Sequence, residues 1–167
     1  ARIKAATVGI AGCGGLGSAI AVALARTGVG HLILADFDLV EPSNLNRQQY
    51  FVDQIGLPKV LALRDNLTRI NPYVRVTVHN ERLTPENIPA RFAAVDVLVE
   101  AFDAADQKAM LAQLFLSKVP GKPLVMGSGM AGFGPSNTIV TRRAAANLYL
   151  IGDVETDAPP GEGLKAP

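Results

Sequence analysis

The chain has 167 residues, enough for one domain with a real core, and its 49% apolar and 19% charged content is that of a folded protein. A formal net charge of +1 gives no basis for a nucleic-acid or anionic-membrane partner, and no apolar run reaches the roughly 18 residues of a spanning helix. The single cysteine, Cys13, excludes an internal disulfide and a Cys-x-x-Cys zinc site, so no structural zinc is expected, and the default location is cytoplasmic.

The predicted elements alternate. "ATVGIA" (6–11) is a short apolar, β-branched run ending at glycines, which reads as a buried strand. "LGSAIAVALAR" (16–26) is rich in Ala and Leu and stops at Gly28, as a helix does. "HLILAD" (31–36) is a second buried strand, followed by a long polar loop with Pro42, Ser43, Asn44 and Gly56 as breakers. "PKVLALRDNLTRINP" (58–72) spaces Val60, Leu61, Leu63, Leu67 and Ile70 for a helix that opens at Pro58 and closes at Asn71-Pro72. "VRVTVH" (74–79) alternates as a strand, 84–93 suits a short helix, "VDVLVEAF" (95–102) a strand and 104–118 a helix. "KPLVMGSG" (122–129) is a further buried strand. "NTIVTRR" and "NLYLIGD", joined by "AAA", form a late hairpin. Residues 152–167 hold three prolines and three glycines with few large apolar side chains and are expected to be a mobile tail, leaving 1–151 as the folded domain. This alternation predicts an α/β fold: a Rossmann-like three-layer sandwich with a mostly parallel sheet and a late antiparallel hairpin.

Ligands of such sheets bind beyond the carboxyl ends of the strands. Gly12-Cys13-Gly14-Gly15-Leu16-Gly17 satisfies G-x-G-x-x-G between a strand and a helix. Gly12 permits the tight turn, Gly14 lets backbone approach a ligand, and Gly17 allows close helix–strand packing. Asp36 ends the second strand, where an acidic residue accepts hydrogen bonds from ribose hydroxyls. These features suit NAD and ATP equally. Cys13 reads as a small filler, and His31 and His79, both in strands, read as structural.

"DFDLVEPSNLNRQ" (36–48) separates the two nucleotides. A hydride-transferring fold would continue into its next helix; this chain inserts Asp36, Asp38, Glu41, Asn44, Asn46, Arg47 and Gln48. Arg47 offers a planar fork that matches phosphate oxygens, with Asn44 beside it. Lys59, at a helix start, supplies a second charge, and Asp103, ending "VEAFD", suits a divalent cation that also takes phosphate oxygens. Each has a plainer alternative: surface cations for Arg47 and Lys59, a turn residue for Asn44, a helix N-cap for Asp103. As an ordered set on one sheet edge they point to a polyphosphate.

"GCGGLG", "ADFDLVEPSNLNRQ", "GLPKV", "TRINP" and "VLVEAFD" occur in one colinear order over about residues 4 to 150. The set resembles the ThiF/MoeB superfamily, the adenylating domain of ubiquitin-activating-type enzymes. "EPSNLNRQ", "EAFDAAD" and "GSGMAGFG" look most like the shorter ThiF-type branch that activates a ThiS-like sulfur carrier in thiamine biosynthesis. The resemblance implies that Gly14 and Gly15 approach the nucleotide and that Asp36 binds the ATP ribose. It implies that Ser43, Asn44, Arg47 and Lys59 engage the phosphates, with Arg47 and Lys59 stabilising charge as pyrophosphate leaves. Asp103 matches the family's aspartate for Mg²⁺ and the adenylate. The implied partner is a ubiquitin-fold carrier ending in Gly-Gly, and the implied assembly a homodimer. The two Cys-x-x-Cys pairs and the downstream cysteine of familiar members are absent from this sequence, so sulfur transfer by this chain is not implied.

Three other readings stand beside adenylation of such a carrier. A NAD-dependent oxidoreductase explains the glycines and Asp36 but leaves Asn44, Arg47 and Lys59 without a task. A non-catalytic scaffold subunit has no need for Arg47, Lys59 and Asp103 together. Adenylation of a different acceptor, such as a modified tRNA base, uses the same site.

Overall fold

The computed structural model describes residues 2–128 and 136–153. A four-residue helix, α1 (Arg2–Ala5), leads into β1 (Thr7–Ala11), α2 (Gly15–Thr27), β2 (His31–Asp36), α3 (Lys59–Ile70), β3 (Arg75–Asn80), α4 (Ile88–Phe92), β4 (Val97–Glu100), α5 (Ala105–Lys118), β5 (Leu124–Gly127), β6 (Val140–Ala145) and β7 (Leu148–Gly152). The strands form one sheet in the order β3-β2-β1-β4-β5-β7-β6. All neighbours are parallel except β6 and β7. The order reverses between β1 and β4, and the carboxyl ends of those two strands therefore border the crevice where such sheets take ligands.

Two apolar clusters show the layering. One joins Ile10, Leu32 and Leu34 of the sheet to Ala21 and Ala25 of α2 and to Val60, Leu63 and Leu67 of α3. The other joins Ile33, Leu98 and Leu124 to Phe92 of α4 and to Leu111 and Phe115 of α5. Successive strand residues face opposite layers, which is why β1 and β2 are apolar without alternation: both faces are buried. The predicted three-layer α/β sandwich, mostly parallel with one antiparallel pair, is the architecture found.

Element ends differ where side chains intervene. The helix expected over 84–93 begins at Ile88, because Asn87 Oδ1 accepts the Thr84 N–H at 2.8 Å and holds 84–87 in a turn. The strand expected over 95–102 is confined to 97–100, since Glu100 Oε1 draws the Phe102 N–H to 2.6 Å and turns the chain. In the hairpin, the strands run over 140–145 and 148–152 instead of 137–143 and 147–153. Ser136–Thr138 form a 3₁₀ turn, and the hairpin turn falls at Ala146-Asn147, not over the three alanines. Arg143 stabilises it by donating to the Ala146 carbonyl from Nε (3.2 Å) and Nη2 (2.7 Å). Gly152 closes β7; the remainder of the expected tail, 154–167, and most of the "GSGMAGFG" motif lie outside the described residues. Among the described residues no helix is long and apolar enough to cross a membrane.

Candidate functional site

The glycine turn sits between the ends of β1, β2 and β4. Gly12 N–H donates to Ala35 O at 2.9 Å, and Ala101 N–H donates to Ala11 O at 2.8 Å. Gly12 has φ +94°, a left-handed conformation in which a Cβ would stand 2.7 Å from Ala101 O. At Gly17 a Cβ would collide with the Gly12 carbonyl, so the absence of a side chain is what lets α2 start against the strand. The first N–H groups of α2 consequently face the crevice with their partial positive charge.

Three side chains lock this turn. Asp36 accepts from Cys13 N–H at 2.6 Å through Oδ2 and from Asp38 N–H at 2.8 Å through Oδ1. Each oxygen keeps a further lone pair for an incoming hydroxyl. Tyr50 donates its phenol to Cys13 O at 2.6 Å, and Ser18 Oγ accepts the Gln49 N–H at 3.1 Å. Burial first, and then Cys13, Asp36 and Asp38, hold the Tyr50 phenol far above its ordinary range, so it remains a donor. Cys13 is fully buried, and burial reinforced by Asp36 raises its pKa well above normal, against a smaller opposing pull from Lys59. It is a protonated filler, as expected from the sequence, and not a nucleophile.

The polar insert folds back over this turn. Its two ends are tied together: Val40 N–H donates to Leu57 O, Gly56 N–H to Val40 O, and Lys59 N–H to Asp38 O, each at 2.9 Å. Its middle is docked on α3 by a buried amide pair. Gln54 Nε2 donates to Asn66 Oδ1 at 2.8 Å, and Asn66 Nδ2 donates to Gln54 Oε1 at 3.0 Å and to Gln49 O at 2.9 Å. Pro42–Asn44 form a 3₁₀ turn in which Asn44 Oδ1 accepts the Glu41 N–H at 3.0 Å. Asn44 therefore has the turn role, with its amide N–H groups still available; Ser43 is exposed and donates to Glu41 Oε2 at 3.3 Å.

Arg47 lies along Gly15, with Cγ 3.6 Å and Nε 3.9 Å from where a Cβ would be, and Nη1 donates to Ser43 O and Asn46 Oδ1 at 3.0 Å each. Lys59 is buried, 6% exposed, and its Nζ pairs with Asp38 Oδ2 at 2.9 Å. One cation thus lies against the start of α2, and a second is paired with Asp38, two residues past the end of β2. Asp103 is exposed beyond β4, one residue past Phe102, whose ring lies 3.3 Å from the same hypothetical Cβ on Gly12. Ala104 occupies the N-cap of α5 with no side-chain capping bond, so the plainer role for Asp103 is not the one it plays.

Of the residues singled out in the sequence, Gly14, Gly15, Asp36, Ser43, Asn44 and Arg47 belong to the glycine turn, the end of β2 or the insert, while Lys59 opens α3 and Asp103 follows β4. Sequence reasoning passed over Tyr50, the Gln54–Asn66 pair and the Glu100–Lys108 pair, whose partners are remote in the chain and carry no motif. It also gave Gln48 no task. Gln48 is 7% exposed and its Oε1 is buried with no hydrogen-bond partner among the described residues. Its Nε2 approaches within 3.9 Å of a Cβ built on Gly14, which otherwise faces open space. Gln48 also borders a cavity of about 340 Å³ between α2 and α3, lined by Arg26, Phe51 and Arg69, which lies off the crevice. An open backbone turn flanked by an unspent amide, two cations and a carboxylate with spare lone pairs fits a phosphate ester of a nucleoside. Among the described residues no three His, Cys, Asp or Glu converge, so a divalent cation here would need ligands from a bound polyphosphate.

Known proteins resemble this chain in sequence and in fold. Molybdopterin-synthase adenylyltransferase of Escherichia coli is 42% identical over 130 residues, covering 77% of this chain and 51% of that protein. Ubiquitin-like modifier-activating enzyme 5 of Caenorhabditis elegans is 49% identical over 83 residues, 50% of this chain and 20% of that protein. The chain thus spans between a fifth and about half of these relatives' lengths. The crystal structure of E. coli tRNA N6-threonylcarbamoyladenosine dehydratase, TcdA, in complex with ATP matches with a TM-score of 0.87 and 27% identity, covering 99% of this chain and 79% of that one. The ThiF family profile matches residues 1–156, nearly the whole length. By sequence and by fold, this chain belongs to the ThiF family.

Proposed function

We propose that this domain uses ATP to adenylate the C-terminal glycine carboxylate of a ubiquitin-fold, ThiS-like carrier ending in Gly-Gly, releasing pyrophosphate. One observation carries the reading: the insert after β2 returns Arg47 and Lys59 to a glycine turn that is itself pinned by Asp36. The names of the relatives, an adenylyltransferase and an activating enzyme, support the reaction class. A NAD enzyme would leave those two cations idle.

The chemistry needs little from the protein beyond placement. A carboxylate is already a nucleophile at neutral pH, so no general base is required. One carboxylate oxygen attacks the α-phosphorus, the bond from that phosphorus to the bridging oxygen breaks, and pyrophosphate leaves. Asp36 accepts from the ribose hydroxyls with the lone pairs its two backbone bonds leave free. Arg47, with Ser43 and Asn44 beside it, meets phosphate oxygens. Lys59 has three donors and spends one on Asp38, which holds the ammonium in place while two remain for the nucleotide. Asp103 would share Mg²⁺ with the phosphates, one or two carboxylates being the usual protein share for this ion. Positioning and preorganised charge are the catalytic means.

Arg47→Ala should therefore reduce ATP–pyrophosphate exchange by about 10²–10³, on the order of 2.7–4 kcal/mol, with the fold intact. Exchange at the unsubstituted rate would remove Arg47 from the reaction. The assay is run with purified Gly-Gly carriers, and mass analysis identifies the adenylated one.

A second reading has an observation in its favour. The solved structure that covers 99% of this chain is a tRNA-modifying dehydratase holding ATP, and a threonylcarbamoyl group also bears a free carboxylate. The first step would be the same and the acceptor different. Exchange stimulated by tRNA carrying that base, and by no carrier protein, selects this alternative. For either acceptor we infer a homodimer, to which the insert offers Phe51, Val52, Ile55 and Leu57 as exposed apolar side chains.

A further inference from the structure

Glu100 and Lys108 form a buried ion pair that the proposed reaction does not use. Glu100 ends β4 and its side chain is fully buried; Lys108 rises from the first turns of α5 with its side chain 24% exposed. Lys108 Nζ donates to Glu100 Oε2 at 2.9 Å, to Glu100 Oε1 at 3.1 Å and to Gly127 O, at the end of β5, at 3.1 Å. All three of its N–H groups are therefore committed, and it has none to offer a phosphate. Glu100 Oε1 also accepts the Phe102 N–H at 2.6 Å. A buried ion pair is weak evidence for stability, because desolvation offsets most of the attraction, so its value must be sought in what it holds in place. What it holds is the turn Glu100–Asp103: the Glu100 carboxylate fixes the Phe102 N–H and binds Lys108 of α5, whose ammonium in turn ties in the Gly127 carbonyl of β5. Asp103 itself makes no bond to a described side chain that would orient it.

We propose that Glu100 and Lys108 are positioning residues for Asp103, setting the place at which its carboxylate meets Mg²⁺ on the nucleotide. This rests on the assignment of Asp103 to Mg²⁺–ATP made above. The clamp acts only through Asp103, and so only on the part of ATP affinity that depends on Mg²⁺. Neither Glu100 nor Lys108 is bonded to Asp36 or Arg47, whereas Ala101 and Phe102 of the same turn pack on Gly12, so affinity in EDTA is the control for any effect on the glycine turn.

Calorimetric titration of the protein with ATP, in Mg²⁺ and in EDTA, measures that part as the gain in affinity that Mg²⁺ confers. Glu100→Ala and Lys108→Met should each lower the gain by about tenfold, the size expected when the support of a metal-binding carboxylate is lost, and leave affinity in EDTA unchanged. Glu100→Gln keeps an oxygen for the Phe102 N–H and should retain most of the gain. In an Asp103→Asn background neither Glu100→Ala nor Lys108→Met should lower it further, because the group through which they act is already gone. Thermal melts establish which variants fold; if Glu100→Ala does not, Lys108→Met decides alone. Should Asp103→Asn lower the gain while the folded clamp variants keep it, or should their losses add to that of Asp103→Asn, the clamp is structural only and the proposal fails. If Asp103→Asn itself leaves the gain unchanged, the assignment of Asp103 fails and the clamp with it.

Discussion

Tyr50 illustrates how single side chains far along the chain complete a loop that the sequence presents as glycines alone. Its phenol holds Cys13 O while Asp36 holds Cys13 N–H, so one peptide residue of the turn is gripped from both sides. The histidines are a different case of local commitment. Arg75 Nη2 lies 2.9 Å from His31 Nδ1 and must be the donor, which leaves His31 Nε2–H to donate to Thr77 Oγ1 at 2.9 Å. Protonation would put a hydrogen where Arg75 already supplies one. Burial and then Arg75 hold the His31 pKa below its ordinary 6.5, and burial and Arg91 do the same for His79 against an opposing Glu81. With folded values below the unfolded ones, the unfolded chain binds more protons once the pH falls toward 6.5, so stability rises with pH across that window. The melting temperature should drop as pH is lowered from about 7.5 to about 5.5, and His31→Gln should flatten part of the slope. A profile that His31→Gln leaves as steep as before would show that His31 contributes nothing to it.

At the scale of elements, the glycine motif and the insert behave oppositely toward substitution. Gly17 and Gly15 are both at the start of α2, where alanine is intrinsically preferred over glycine by up to about 1 kcal/mol. A Cβ on Gly17 strikes the Gly12 carbonyl, which is backbone and cannot swing aside; one on Gly15 meets only the stem of Arg47 at ordinary contact distance. Gly17→Ala should cost more than about 3 kcal/mol in chemical denaturation, whereas Gly15→Ala should lie within about 1 kcal/mol of the parent and disturb ATP binding through Arg47. Equal stabilities for the two variants would refute this account of the motif. The insert is held less by sterics than by polar pairing: Gln54 and Asn66 satisfy each other in a buried site where either alone would leave a polar group unmet. That pair explains how a loop long enough to look irregular in the sequence keeps Arg47 against the glycine turn.

For the whole molecule, the reversal of strand order between β1 and β4 is the governing feature. It opens the crevice, and the strand ends on either side deliver the glycine turn and Asp103. A ligand that binds only the folded state stabilises it by mass action, by about 2.7 kcal/mol at a concentration 100 times its dissociation constant. Saturating ATP with Mg²⁺ should therefore raise the melting temperature by several degrees, and NAD at the same concentration should not. A rise with NAD and none with ATP would favour the oxidoreductase reading over adenylation.

The periodicity of β1 through α5 and the strand–glycine–helix signature were determined by the sequence alone, and so was the choice of residues proposed to meet phosphate. Each depends on neighbours within a few positions: two-fold or 3.6-fold apolar spacing, backbone freedom at glycine, the chemistry of one side chain. Element ends and the hairpin turn escaped it, because Asn87, Glu100 and Arg143 decide them by reaching backbone groups that no propensity scale sees. Only the tertiary structure decided that Lys59 is paired with Asp38, that Arg47 lies on Gly15, and that Glu100 binds Lys108. Those contacts join segments brought together by strand order and loop docking, and distance in space is a quantity the linear spacing of residues does not contain.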